Sequence, residues 1–261
     1  MKNTYPRYLP GLIVLIVAGI IGFSILDNIP EAEKKQVEEA ATGTPALLSG
    51  STGEDNAEHS RIPQPNLDRP VSVLIPLHAL VLDETKKGLA STTVALRTNP
   101  NDHLSWTILG VYRKTLGDYT AARDIWLYVA KRWPTHYVAY NNLGNLYHIE
   151  LRDYRAAEQA YITAAALKPD FIQTYINLYE LYRYSYKAKA AKAPVALKAG
   201  LGRNPNDLNL NLTLARYYAD IGEKGGAAVY FKKSIAIAER GGTIAKAASI
   251  RAEAKDAGIT L

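Results

Sequence analysis

Four prolines recur along the chain at nearly constant spacing. Pro100, Pro134, Pro169 and Pro205 are separated by 34, 35 and 36 residues. A period of this length is typical of arrays in which each repeat is a hairpin of two α-helices. One such hairpin cannot bury its apolar face alone, so neighbouring hairpins must stack, and about three are needed for stability. The spacing therefore predicts an all-α fold.

Large and small side chains keep the same register between the prolines. In each unit they stand six, nine, ten and thirteen residues after a proline, and spacings of three and four place them on one face of a first helix. In the two most regular units these residues are Trp106, Leu109, Gly110 and Arg113, then Tyr140, Leu143, Gly144 and Tyr147.

A short polar break, GDY at 117–119 and RDY at 152–154, separates the first helix from a second one. The second helix carries a small residue followed by an aromatic residue four positions later, and a proline stops it. Small residues let two helices approach closely, while the aromatic ring fills the space between hairpins. The residues concerned are Ala122, Trp126 and Pro134, then Ala157, Tyr161 and Pro169.

The order WxxLGxxY, AxxxF and P resembles the tetratricopeptide repeat (TPR) family. The resemblance implies a TPR α-solenoid of about four helical hairpins over 103–241, with capping helices that cover its apolar ends. The predicted segments are an extended segment and capping helix at 71–102, repeats at 103–136, 137–171, 172–207 and 208–241, and a C-terminal capping helix at 242–261.

The third repeat departs from the family pattern. Tyr179 replaces the small residue of the first helix, and Pro194 is expected near the start of the second helix. The repeat is also longer, which predicts a splayed hairpin or an extended first helix. Tyr179, Tyr184 and Tyr186 are candidates for exposed anchors at an interface.

An apolar stretch precedes the repeats. The 19 residues between Arg7 and Asp27 carry no charge, and a helix of about 28 Å would cross the hydrocarbon layer. No small-x-small cleavage site follows. The sequence predicts a short tail at 1–8 and an uncleaved transmembrane helix at 9–29. The protein would then be single-pass, with its N-terminus inside and its repeats extracytoplasmic, although the flanking cations decide this orientation only weakly.

The two segments that follow this predicted helix carry net charges of opposite sign. Residues 31–70 have a net charge of −4, and residues 71–261 have a net charge of +9. Poor in aromatic residues, 30–70 is predicted to be a flexible acidic linker. A basic body favours acidic partners or an anionic surface, but without a recognition motif no nucleic-acid partner is expected.

Sequence features for catalysis are absent. The chain has no cysteine, its five histidines include no HExxH pattern, and no serine lies in GxSxG. We therefore expect no metal, no cofactor and no enzymatic activity.

The TPR resemblance implies a concave groove that is lined by first helices and receives a peptide or a partner helix. Lys114, His148, Arg183 and Arg216 would form a stripe that holds acidic groups, and the Asn side chains would bond the ligand backbone. Alternatively, these residues are a solvated face. The candidate groove residues are Lys114, Asn141, Asn145, His148, Gln173, Glu180, Arg183 and Arg216.

These features favour a non-enzymatic, membrane-tethered adaptor or scaffold that binds a protein or peptide partner, similar to bacterial envelope proteins that assist secretion or assembly. Two alternatives remain open: a structural protein that self-associates as a homo-oligomer, or a regulatory subunit of a membrane complex that does not use its groove.

Overall fold

The computed structural model describes residues 63–261, which form ten α-helices and no β-strand. They belong to two compact units, one ending at Thr135 and one running from His136 to Leu261. The helices of the first unit are α1 (Ala79–Thr98), α2 (His103–Thr115) and α3 (Tyr119–Arg132). Those of the second are α4 (Tyr137–Asn145), α5 (Tyr154–Leu167), α6 (Ile172–Glu180), α7 (Ala193–Arg203), α8 (Leu208–Asp220), α9 (Lys224–Arg240) and α10 (Ile244–Asp256).

The predicted tail at 1–8, the transmembrane helix at 9–29 and the linker up to residue 62 lie outside the described residues. Within residues 63–261, every helix is too short or too polar to cross a bilayer.

Aspartates begin four of the helices. The side chains of Asp102, Asp118, Asp153 and Asp207 accept hydrogen bonds from backbone N–H groups in the first turns of α2, α3, α5 and α8. These N–H groups have no partner inside a helix, so a capping carboxylate fixes where each helix starts. The polar breaks in the sequence predicted two of these positions, Asp118 and Asp153.

In three of the hairpins the turn between the two helices contains a left-handed residue. Gly117 and Gly222 supply it with φ of +83° and +79°. In the second repeat Arg152 takes the same conformation with φ of 55°. A side chain there costs energy that glycine avoids, so this turn is held by the packing of its helices.

Glycine and an aromatic ring pack together inside the two regular hairpins. A Cβ atom added to Gly110 would lie 2.3 Å from Nε1 of Trp126, and one added to Gly144 would lie 2.5 Å from Cδ1 of Tyr161. Both rings are fully buried. The glycines therefore set the helix spacing within each hairpin, whereas the sequence pattern predicted these rings to lie between hairpins.

In three repeats, the residue six positions after the repeating proline donates a hydrogen bond to the carbonyl of that proline. Nε1 of Trp106 donates to the Pro100 carbonyl at 2.9 Å, and the Tyr175 hydroxyl donates to the Pro169 carbonyl at 2.9 Å. Asn211 has no ring but donates to the Pro205 carbonyl at 3.2 Å. The shared requirement is a buried donor for a carbonyl that ends the preceding helix.

In the third repeat the large aromatic side chain lies on the first helix instead of the second. Tyr179 is only 5% exposed, so its assignment as a candidate exposed anchor is wrong. Its ring lies against that of Tyr217, with centroids 6.2 Å apart. On α7 the position that corresponds to Trp126 and Tyr161 holds the smaller, buried Leu197. Tyr184 is exposed, as expected, and Tyr186 is half-buried.

The extra length of the third repeat lies between α6 and α7. A π-helical turn, Leu181–Ser185, continues α6, and a 3₁₀ segment, Lys187–Lys192, leads to α7. Pro194 lies in the first turn of α7, as predicted. The second repeat has a corresponding π-helical turn at Leu146–Glu150, which the sequence pattern did not reveal.

In the first unit an extended segment packs on the turn between α2 and α3. The Leu74 N–H donates to the Leu116 carbonyl at 2.8 Å. The buried Arg113 donates to the carbonyls of Arg69 and Pro70 at 2.7 and 2.8 Å. Arg69 in turn bonds the buried carboxylate of Asp118 through two contacts of 2.8 Å. Residues 68–70, which the sequence predicted to belong to the linker, thus take part in this packing, since Asp68 also bonds Arg97 of α1.

Candidate functional site

The first helices α4 and α6 of the second unit are joined by buried polar side chains. Oδ1 of Asn141 accepts from Nδ2 of Asn177 at 3.1 Å and from the Thr174 hydroxyl at 3.3 Å. Gln173 donates to Oδ1 of Asn177 at 2.9 Å. This chain of bonds fixes the register of α4 against α6. The carbonyl oxygen of Asn141 is consequently a structural acceptor.

Asn145 lies one turn further along α4. Its Oδ1 accepts a hydrogen bond of 3.0 Å from the hydroxyl of Tyr161 on α5. Burial, and secondly the charge of Glu180, raises the pKa of the Tyr161 phenol. Asn145, Tyr161 and Glu180 therefore belong to one electrostatic neighbourhood on three different helices.

His148 does not extend a cationic stripe, and this part of the sequence interpretation is wrong. Its imidazole is 5% exposed, and Nε2 lies 2.8 Å from the Ser185 hydroxyl. The rings of Tyr154 and Tyr161 pack against its edges. Burial lowers its pKa to about 4, so it is neutral at neutral pH. His148 lies in a π-helical turn, where an α-helical wheel does not give side-chain directions.

The arginines of the predicted stripe have partners within the second unit. The Arg183 guanidinium lies 5.1 Å from the centre of the Tyr217 ring and 3.8 Å from a carboxylate oxygen of Asp220. Arg216 makes two hydrogen bonds to Glu253 on α10, of 2.5 and 2.9 Å. The second pair raises the pKa of Arg216 and lowers that of Glu253.

Glu180 differs from these groups. Its side chain is half-buried, and among residues 63–261 it has no hydrogen bond and no ion pair. Burial raises the pKa of its carboxyl group. The remaining candidate, Lys114, lies in α2 of the first unit and is half-buried.

Sequence reasoning missed Glu158 on α5. This carboxylate is 5% exposed and accepts from the Tyr182 hydroxyl at 2.8 Å, from Lys192 at 3.2 Å and from Lys189. Burial opposes its ionisation, but these donors lower its pKa. In the sequence, the only sign of this contact site is one acidic residue on a helix face that is otherwise apolar. Its contacts hold the 3₁₀ segment against α5, which is a structural task.

Across residues 63–261, His, Asp and Glu side chains form no group that could hold a metal ion. The second unit therefore offers a face of first helices on which the carboxylate of Glu180 has no partner among residues 63–261.

Residues 137–171, which contain α4 and α5, match the family model of the tetratricopeptide repeat. This segment is a tetratricopeptide repeat, as the sequence pattern indicated. It is 26% identical over 178 residues to protein FlbA of Caulobacter vibrioides, a match that covers 66% of this chain and 28% of FlbA. It is 36% identical over 87 residues to the human protein O-mannosyl-transferase TMTC3, covering 33% of this chain and 10% of that protein.

Among solved structures, pilF of Pseudomonas aeruginosa superposes with a TM-score of 0.51 at 20% identity. The superposition covers 68% of this chain and 86% of that one, and it supports the TPR fold. The chain spans less than a third of FlbA and a tenth of TMTC3. The activities of those proteins therefore do not transfer to this chain through the repeats alone.

Proposed function

We propose that this TPR protein is a non-enzymatic, membrane-tethered scaffold that binds a protein or peptide partner through the first helices of its repeats. The TPR fold is one that presents surfaces to protein partners. The fixed register of α4 and α6 is the observation that carries the proposal, because it places two adjacent first helices side by side as a preorganised face.

Three residues define this face on α6. Gln173, Ile176 and Glu180 are spaced by three and four positions, so they lie on one side of the helix. Along this side Gln173 is exposed, Glu180 is half-buried and Ile176 is only 9% exposed. A partner would therefore contact chiefly the amide and the carboxylate, with the edge of the core beneath them.

Site-specific photocrosslinking tests the proposal. A photoreactive amino acid at Gln173 of the full chain, in native membranes, is expected to capture a distinct partner. The same group at Gln159, exposed on the second helix α5, is the matched control and is expected to miss it. Capture of one and the same set of proteins from both positions would contradict use of this face.

The identity of the captured protein separates the alternatives. Crosslinks between two copies of this chain from the Gln173 position would favour a self-associating structural protein. Crosslinks only from surfaces other than α4 and α6 would favour a regulatory subunit that does not use its groove.

A further inference from the structure

The charged residues of the predicted stripe in the second unit do not match a groove for acidic ligands. His148 is neutral and bonded to Ser185, and Arg216 is paired with Glu253. Arg183 lies over the ring of Tyr217 and near Asp220. An acidic ligand would have to displace the internal partner of each arginine, and this displacement would offset much of the energy gained.

Glu180 has the opposite character. Within the described part of the chain its carboxylate has neither an ion pair nor a hydrogen bond, although it is half-buried. Removing a carboxylate from water without supplying a donor is unfavourable. A ligand cation that reaches it would restore the lost interaction without breaking any bond of the protein.

The surroundings of Glu180 suit the long side chain of a lysine or an arginine. Ile176, one turn earlier on α6, is only 9% exposed, so it contributes no more than a narrow aliphatic edge for the methylene groups. The half-buried Asn145 on α4 bonds the Tyr161 hydroxyl, and the charge of Glu180 acts on the same phenol. The partly desolvated position of Glu180 strengthens an ion pair relative to one in bulk water.

We propose that this face selects a partner segment carrying a lysine or arginine side chain, with Glu180 as the residue that pairs with it. The inference rests on the proposed function, since it assigns the chemistry of the partner to the face already described. The expected ligand is therefore basic, whereas the cationic stripe suggested by the sequence would bind an acidic one.

Selection from a library of short random peptides tests this inference, with the full chain in lipid nanodiscs as the target. Peptides that bind the wild-type protein are expected to share a lysine or an arginine. The affinity of one such peptide is then measured by fluorescence anisotropy. Glu180→Gln should weaken binding about tenfold, equivalent to about 1.4 kcal/mol, and replacing the basic residue by norleucine should have a similar effect. Combining both changes should add little, because they remove the same pair.

Two further variants control the experiment. Glu223→Gln removes an exposed carboxylate at the start of α9 and should leave binding unchanged. Glu180→Lys should select peptides rich in Asp or Glu, a gain that loss of folding cannot produce. Equal affinity of wild type and Glu180→Gln would overturn the inference.

The outcomes also separate the inference from the proposed function. Peptides that lose affinity with Gln173→Ala but not with Glu180→Gln would leave the groove function standing and refute the role of Glu180. If neither variant changed the binding of any selected peptide, or if no peptide bound, both proposals would fail.

Discussion

At the residue scale, Trp126 combines ring packing with a specific hydrogen bond. It is 1% exposed, and its Nε1 donates to the Thr107 carbonyl at 3.0 Å. Trp126→Ala is expected to lower the free energy of unfolding by about 3 to 5 kcal/mol, because a large cavity forms between α2 and α3. Leu127→Ala, an exposed neighbour, should cost much less. Chemical denaturation of both variants measures the difference, and equal midpoints would contradict the assigned core.

His148 makes stability depend on pH. Its pKa is about 4 in the folded chain and near 6.5 when unfolded. The unfolded state therefore binds more protons between these values, and stability falls as the pH decreases through this window. The loss is on the order of 3 kcal/mol when the window has been crossed. His148→Gln should remove this part of the pH dependence, measured as the difference in unfolding free energy between wild type and variant at each pH.

At the element scale, the 3₁₀ segment Lys187–Lys192 depends on Glu158. Two lysines and the Tyr182 hydroxyl converge on this buried carboxylate. Glu158→Gln removes the charge that attracts them, so amide hydrogen exchange within 187–192 should accelerate, while α5 stays protected. Glu239→Gln, which breaks the exposed pair with Arg251, is the control and should cost less than about 1 kcal/mol. Unchanged exchange in 187–192 would show that the backbone alone holds the segment.

At the scale of the whole molecule, the sequence predicts that one apolar stretch decides where the chain resides. The full chain is expected in the membrane fraction after carbonate washing, whereas a chain lacking 9–29 should be released. Protease added to intact cells or vesicles should reach the repeats only from the extracytoplasmic side. Release of the intact full chain by carbonate would contradict the tether, and digestion from the opposite side would contradict the orientation.

The repeat architecture was predictable because it depends on local and periodic information. Proline spacing recurs from one repeat to the next, and the caps Asp118 and Asp153 depend on residues within a single hairpin. Pro194 likewise indicated where α7 begins. The family match at 137–171 confirms the recognition of TPR repeats that these patterns supported.

The candidate site was less predictable, because its charges are set by contacts between distant residues. Sequence spacing suggested the cationic character of Arg183 and Arg216, but not the presence of Asp220 and Glu253 beside them. The π-helical turn that contains His148 also breaks the periodicity on which face assignments depend.

The sequence alone thus determined the helical repeat and its register, since each repeat encodes them in its own residues. Only the tertiary structure decided that Tyr179 is buried, that Arg113 holds the segment at Arg69, and that Glu180 has no internal partner. These properties depend on which side chains meet across helices, and the free energy of a charge is fixed by those neighbours rather than by its position in the chain.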